Sequence, residues 1–459
     1  LICSDPPIVS RPRWACSFVG FFMKDRYRPV PQSRLGRLAA FGQLAGGIAT
    51  GALSEGLSRL AQGERPHLRD LLLTPSNARR VTDQLSRLRG AAMKLGQMLS
   101  LDPGDVLPPE LTAILGQLRE SANFMPGSQL RSALAAAWGP DWQRHFSRFD
   151  MIPIAAASIG QVHKAVLVSG REVAVKVQYP GVAASIDADI DNVATLLKIS
   201  GILPAGLDIK AHLAEAKRQL HEEADYLREA EQMRQYRRLL ADDPRFVLPE
   251  PVDELLHPTI LPMDYIKGSP IETIKTAPPA TRNEAMGAVV ELALRELFEF
   301  GLMQTDPNFA NFRWQPETGR IVLLDFGATR PVPPESASHY RRLLKAGLDN
   351  ATSEVRDALL AMDYLSPVQM QRHGRELEAM IRLVLDHVHR NADGTVDFSD
   401  RSPLADVRDR AAPIIADRQG WSLPSPDKMF IQRKISGTAL MCMNMNVRLP
   451  LVPLLKRFR

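Results

Sequence analysis

Apolar positions change period along this chain, and the changes mark out its elements. In TDQLSRLRGAAMKLGQMLS, Leu85, Leu88, Ala92, Leu95 and Leu99 recur at alternating three- and four-residue spacing, which predicts an amphipathic helix. DPGDVLPPE breaks it, a further helix starts near Leu111, and residues 67–150 read as helical throughout. At Ile152 the period shortens. REVAVKVQYP alternates and is rich in Val, and the Ser-Gly at the centre of AVLVSGREVAVKV predicts a hairpin with Lys176 near the end of its second strand. HLAEAKRQLHEEADYLREAEQMRQYRRLL (212–240) predicts one long charged helix, and FVLPEPVDELLHPTILPMDYI adds two or three strands. From about 280 helices return, interrupted by short strands around TDPNFANF and GRIVLLDFG. The order is helices, a small sheet with one long helix, then a larger helical region, which is an α+β class.

Composition narrows the function classes only a little. The 459 residues suffice for a large core, and a net charge of +5 favours anionic partners such as phosphates or acidic lipid. No aromatic-interleaved basic motif or zinc-finger spacing supports nucleic-acid binding. Cys3, Cys16 and Cys442 are too few and scattered for a disulfide framework or metal site, which points to a reducing compartment. No run of eighteen apolar residues predicts a membrane span. In LAAFGQLAGGIATGALSEG (38–56), Gly42, Gly46 and Ala49 suit either a tight helix contact or a shallow membrane-seeking face. Residues 1–22 show no regular period, and Met23 reads as the natural first residue. Trp421, Met441, Met443 and Met445 read as C-terminal core in preference to a lipid site.

The chemistry lies in four features that follow one another: a strand lysine (Lys176), glutamates on the long helix, an Asp-x4-Asn loop (Asp306, Asn311) and an Asp-Phe-Gly (Asp325). Phosphoryl transfer asks the protein to hold phosphates, neutralise charge and orient the acceptor. Lys176 would meet the α and β phosphates, Asp325 would bind Mg²⁺, and Asn311 would take a second metal position. Asp306 would orient the attacking hydroxyl or water, or accept its proton. Singly each is weak, since an Asp after a strand is usually a turn former and a strand lysine usually a solvated face. Together, in this order and spacing, they are hard to obtain by accident. Gln304 and Thr305 stand where ordinary protein kinases place His-Arg.

AAASIGQVHKA (155–165), VAVKVQYPGV, KLGQMLS, EEADYLREA and LLDFGAT closely resemble the UbiB family of atypical kinases. TDPNFANF replaces that family's common His-Ala-Asp-Pro-His-Pro-Gly-Asn. With the KLGQ segment and the tail RKISGTALMCMNMNVRLPLVPLLKRF, it resembles the branch containing the mitochondrial coenzyme Q kinase-like proteins, over about residues 75–459. The missing His-Arg then becomes a branch feature. Ala155, Ala156, Ala157 and Ser158 occupy the place of the Gly-rich phosphate loop, and alanines favour helix and hold a stiffer shape. No Ala-Pro-Glu follows Asp-Phe-Gly, so the segment that supports a peptide substrate is short or absent.

The long helix offers several carboxylates, with Glu223 on a stripe with Leu213, Ala216, Leu220 and Leu227. The resemblance implies that Glu229 partners Lys176. It also implies that Glu223 and Asp225 meet Lys94 and Gln97 of the KLGQ segment, which would fold over the nucleotide pocket and restrict access. Met263, Asp264, Tyr265 and Ile266, after a strand and before Gly268, suit a hinge whose backbone binds adenine.

The expected architecture is a two-lobed protein-kinase-like fold with an all-helical N-terminal extension packed over the active site. Its parts would be an N-terminal segment (1–66), the KLGQ-containing extension (67–150), an N-lobe (151–268) and a helical C-lobe (269–459). The resemblance implies an atypical kinase or ATPase that uses ATP/ADP and Mg²⁺ and supports ubiquinone biosynthesis. Its expected partners are an anionic membrane surface, quinone precursors, ubiquinone-biosynthesis proteins and a second copy of the chain. It would lie on the inner membrane's cytoplasmic side in a bacterium, or face the matrix in a mitochondrion. A nucleotide-binding scaffold without obligatory catalysis is the alternative. A true protein kinase is disfavoured by the alanine loop and the missing substrate segment.

Overall fold

A computed structural model of the protein describes residues 124–199, 210–417 and 426–459. Lys94, Gln97, the 38–56 helix, the expected helices between 67 and 123, and Trp421 lie outside the described residues. The chain divides into two compact units, with the described boundary at Val193/Ala194.

The first unit is built on a hairpin. Strands β1 (Phe146–Phe149), β2 (Ala155–Ala156), β3 (Gly160–Leu167) and β4 (Glu172–Gln178) follow helix α1 (Gly127–Trp138). β3 and β4 pair antiparallel from Gly160↔Gln178 to Val166↔Glu172, and the turn between them needs Gly170 at φ 88°. β1 and β2 pair along successive stretches of the other edge of β3. Val173, Val175 and Val177 are fully buried, while Ala174, Lys176 and Gln178 point to the opposite face, so the alternation read in the sequence holds. β1 lies within the stretch expected to be helical. Phe146 and Phe149 join Trp138 and Trp142 in an aromatic cluster, with ring centroids 5.2–6.3 Å apart, and that burial carries the strand. A polar chain crosses the same core. Met125 N donates to Gln161 Oε1 (2.9 Å), Gln161 Nε2 lies 2.9 Å from His163 Nε2, and His163 Nδ1 lies 2.8 Å from the Asp150 carbonyl. A carbonyl only accepts, so the proton sits on Nδ1 and Nε2 accepts from Gln161. Burial lowers the His163 pKa, in keeping with that neutral ring. Helix α2 (Val182–Ile199) follows and carries the chain across the boundary.

In the second unit the expected long helix is two helices, α3 (Lys210–Glu223) and α4 (Tyr226–Leu239). Asp225 is the N-cap of α4 and accepts from Arg228 N at 3.0 Å, a role that takes it out of helical conformation. The break resets the buried face. Leu227 is exposed, whereas Tyr226, Glu229, Ala230, Met233 and Tyr236 turn inward at helical spacing. The apolar stripe running through Glu223 to Leu227 therefore ends at the break.

Strands β5 (Phe246–Val247), β6 (Ile260–Asp264) and β7 (Ser269–Pro270) precede helix α5 (Pro279–Arg295), which ends in a π turn over 296–300. β8 (Leu302–Gln304), β9 (Phe312–Gln315), β10 (Arg320–Leu323) and β11 (Thr329–Pro331) carry the loops of interest. β5, β10, β9 and β7 form a four-stranded sheet, and β8 pairs antiparallel with β11. The remainder is helical: α6 (Pro334–Leu348), α7 (Thr352–Ala361), α8 (Pro367–Val388), α9 (Ser402–Ala416), α10 (Pro426–Asn444) and α11 (Leu451–Lys456), with a β12 (Val396–Asp397)–β13 (Arg448–Leu449) ladder. Met441 and Met445 are buried core, as read from the sequence. Among the described residues no helix is long and apolar enough to cross a membrane.

Candidate active site

Two loops meet because of how their strands pair. The loop 305–311 runs from β8 to β9 and the loop 324–328 from β10 to β11, while β8 pairs with β11 and β9 with β10. Thr305 N and Oγ1 both donate to the Ala328 carbonyl (3.1 and 2.8 Å), and Leu324 N donates to the Asn311 carbonyl (3.0 Å). The backbone alone thus fastens the Asp306/Asn311 loop to the Asp325 loop at both ends.

Their side chains are also held. Asn311 Nδ2 donates to the Asp306 carbonyl (3.0 Å) and to Asp306 Oδ2 (3.1 Å), so the amide spans the loop and fixes the carboxylate. Arg433 of α10 lies 3.5 Å from Asp306 Oδ1. Asp325 Oδ1 accepts from Gly327 N at 2.9 Å, which closes the Asp-Phe-Gly turn on itself. A Cβ at Gly327 would stand 3.4 Å from both Asp325 Oδ1 and Glu229 Oε2, so glycine lets these two carboxylates approach the turn. Arg228, next to Glu229 in the chain, donates to the carbonyls of Gly327 (3.0 Å) and Thr329. Phe326 is buried and tilts on Tyr236, with ring centroids 5.2 Å apart.

Beneath the loops lies a small cavity of about 10 Å³ lined by Asn311, Asp325, Phe326, Tyr236, Gln304 and Lys434, among others. Glu296, at the end of α5, forms part of its wall and is fully buried. Its Oε1 accepts from the Tyr236 hydroxyl (2.8 Å) and from Gln304 N (3.3 Å), and its Oε2 lies 2.9 Å from Lys434 Nζ. Burial, reinforced by the Glu296 charge, pushes the Tyr236 phenol well above its usual range and keeps it a donor.

The other expected residues fall as follows. Asp264 ends β6, its Oδ2 accepting from Glu250 N (3.0 Å), and Met263 is buried beside it; Tyr265 and Ile266 follow directly in irregular backbone. Ala155 and Ala156 form β2, and Ala157 N donates to the Gly160 carbonyl (2.8 Å), so Ala157 and Ser158 lie at a hairpin turn. That corrects the helix preference read from the alanines. The open edge of β3 supplies backbone partners, and a propensity worth a few tenths of a kcal/mol is easily overridden. Lys176 is 8 % exposed on β4, in the first unit. Only β11 and a short link separate the Asp-Phe-Gly turn from α6 at Pro334.

Sequence reasoning missed Glu296, Tyr236, Arg228, Arg433 and Lys434. RKISG drew notice only as part of a family-like tail, and no spacing links it to the 305–311 loop.

Residues 117–359 match the family described as the ABC1 atypical kinase-like domain. The chain is 37 % identical over 428 residues to atypical kinase COQ8, mitochondrial, of Saccharomyces cerevisiae, covering 93 % of this chain and 85 % of the yeast protein. It is 37 % identical over 431 residues to atypical kinase COQ8B, mitochondrial, of Danio rerio, covering 93 % and 68 %. A solved Rv3197–erythromycin complex from Mycobacterium tuberculosis aligns over 83 % of this chain and 95 % of that one, with a TM-score of 0.55 and 25 % identity.

Proposed function

The chain belongs to the ABC1 atypical kinase-like family, and from that premise we propose that it is an ATP- and Mg²⁺-dependent kinase or ATPase supporting ubiquinone biosynthesis at a membrane surface. The observation that carries the reading is the joined pair of loops, in which Asn311 fixes Asp306 while Leu324 N grips Asn311 just before Asp325.

The donors suit the metal. Among the described residues no three His, Cys, Asp or Glu side chains converge as a metal-binding group. Asp325 and Asn311 instead both line the small cavity and offer hard oxygen donors. A sparse oxygen set fits Mg²⁺, which keeps waters and takes its remaining ligands from phosphates. Asp325 and Asn311 would hold the ion, and when bound it would draw negative charge from the phosphates.

The chain's own residues do the rest. Asp306, oriented by Asn311 and faced by Arg433, takes the proton of the attacking hydroxyl or water. Lys176, a buried cation on a rigid strand, is assigned to the α and β phosphates, and Ala155–Ser158 to covering them. The backbone at Met263–Ile266 is assigned to adenine. Ubiquinone and its precursors are apolar and stay in the bilayer, so the enzyme works at its surface, where a net charge of +5 favours anionic lipid.

Phosphate release from Mg-ATP, measured with and without anionic vesicles, tests the activity. Turnover should rise with vesicles and fall about a hundredfold or more in Asp306→Asn. A strain lacking the protein should lose ubiquinone and regain it with the parent. Rescue by Asp306→Asn would favour a nucleotide-binding scaffold, and unchanged quinone after deletion would remove the pathway assignment.

A further inference from the structure

Three residues within two turns of α10 address the 305–311 loop and its approach. Arg433 lies 3.5 Å from Asp306, Lys434 pairs with Glu296, and Gly437 packs on Pro307. At Gly437 an added Cβ would sit 2.2 Å from Pro307 Cγ, so no other residue allows the helix so near the loop.

Lys434 and Glu296 are both buried, at 3 % and 1 % side-chain exposure. Their approach of 2.9 Å is close but oblique, leaving Glu296 Oε2 with an ion-pair partner and no directed hydrogen bond. A buried ion pair is seldom the most stabilising choice for a core, because desolvation offsets its attraction. Its position suggests another use. Glu296 Oε1 accepts from Gln304 N, two residues before Asp306, and Lys434 Nζ lies 3.5 Å from Gln304 Oε1. The pair therefore grips the residue at which the chain leaves β8 for the loop, while Gly437 presses on that loop from α10.

We propose that α10 is a clamp on the 305–311 loop, with Lys434 a positioning residue that acts on Asp306 through Glu296 and Gln304, and Gly437 the contact that seats the helix. This rests on the kinase reading for its consequence, but the clamp is also measurable without nucleotide. Lys434→Met leaves Glu296 buried and unpaired, which shifts the Gln304 backbone and with it the Asp306 carboxylate. A displacement of about 1 Å at a reacting group costs about a hundredfold in rate. Adenine and the α and β phosphates are assigned to residues outside this loop, so nucleotide binding should change far less than turnover.

The test uses the full chain with Lys434→Met, Gly437→Ala and the double change Glu296→Leu/Lys434→Met. At a temperature where thermal melts show each variant folded, kcat for Mg-ATP should fall about a hundredfold with KM within about twofold. Amides of 304–311 should exchange faster with no nucleotide present. The double variant should regain part of the melting temperature, since no charge is stranded, and yet remain slow. A purely structural pair predicts that its kcat returns together with its melting temperature, and that result overturns the clamp. So do parent-like kcat and exchange in Lys434→Met or Gly437→Ala. If Lys434→Met does not fold, the other two variants decide. A parent with no turnover at all would count against the kinase reading alone, since the exchange of 304–311 still reports on the clamp.

Discussion

Asp325→Asn should abolish the thermal shift that Mg-ATP gives the parent and lower turnover by about a hundredfold to a thousandfold. The side-chain amide keeps an oxygen that can accept from Gly327 N, the bond that closes the turn at 2.9 Å, so the fold should survive. It lacks the charge that a Mg²⁺–phosphate complex requires. The melting temperature without nucleotide should stay within about a degree of the parent, because only an isosteric, partly exposed group has changed. Equal Mg-ATP shifts in the two proteins would exclude Asp325 as the metal ligand. An equal loss of stability without nucleotide would instead reassign the residue to the turn.

Local patterns made much of this molecule legible. Alternating Val in β4 gave the hairpin, Ser-Gly gave its turn, and the order of strand lysine, Asp-x4-Asn and Asp-Phe-Gly gave the kinase-like α+β class. The hairpin signals are short-range, whereas the motifs, each weak alone, gain their force from their order along the chain. The helix break at Asp225 was harder to see. Helical spacing runs through it on paper, and only an unmet preference for an N-cap distinguishes that Asp from a solvent-facing one. The same break decides which carboxylates turn inward, so sequence periodicity put Glu223 with Leu227 while the fold buries Glu229. β1 was lost to a helical reading because four residues carry too little alternation to register.

What remained illegible is long-range and electrostatic. Lys434 finds Glu296 only after α10 packs near the end of α5, and nothing in RKISG announces that an ammonium will be buried. Arg228 reads as an ordinary surface residue of a charged helix, yet it donates to the carbonyls of Gly327 and Thr329. These contacts brace the loops that the motifs identify. The motif names which side chains take part, and the braces, invisible in the sequence, fix where they stand.

Arg330 is the strongest such brace, and Arg330→Met should destabilise the fold by about 2–4 kcal/mol. It lies in β11, just beyond the Asp-Phe-Gly turn, and its side chain is 3 % exposed. One guanidinium nitrogen pairs with Glu215 and another with Glu222 (2.9 Å), both on α3, which ties the strand leaving the turn to that helix. Methionine fills much of the volume but leaves Glu215, itself 8 % exposed, with only Gln219 and the half-exposed Arg218. Burial is the largest single influence on Glu215 and pushes its pKa up. The hydrogen bond from Gln219, the Arg330 charge and the Arg218 bond together outweigh it, so the carboxyl sits below its usual 4.5. A carboxyl depressed in the folded state adds stability above its unfolded pKa and loses it as pH falls through the folded value. The parent's advantage over Arg330→Met should therefore be complete near pH 7 and shrink below about 4.5. Urea melts of both proteins at pH 7, 5, 4 and 3.5 measure this directly. A stability difference that stays constant down to pH 3.5 would mean that Arg330 acts through its packing on Phe430, whose ring lies 5.9 Å from the guanidinium, and not through Glu215.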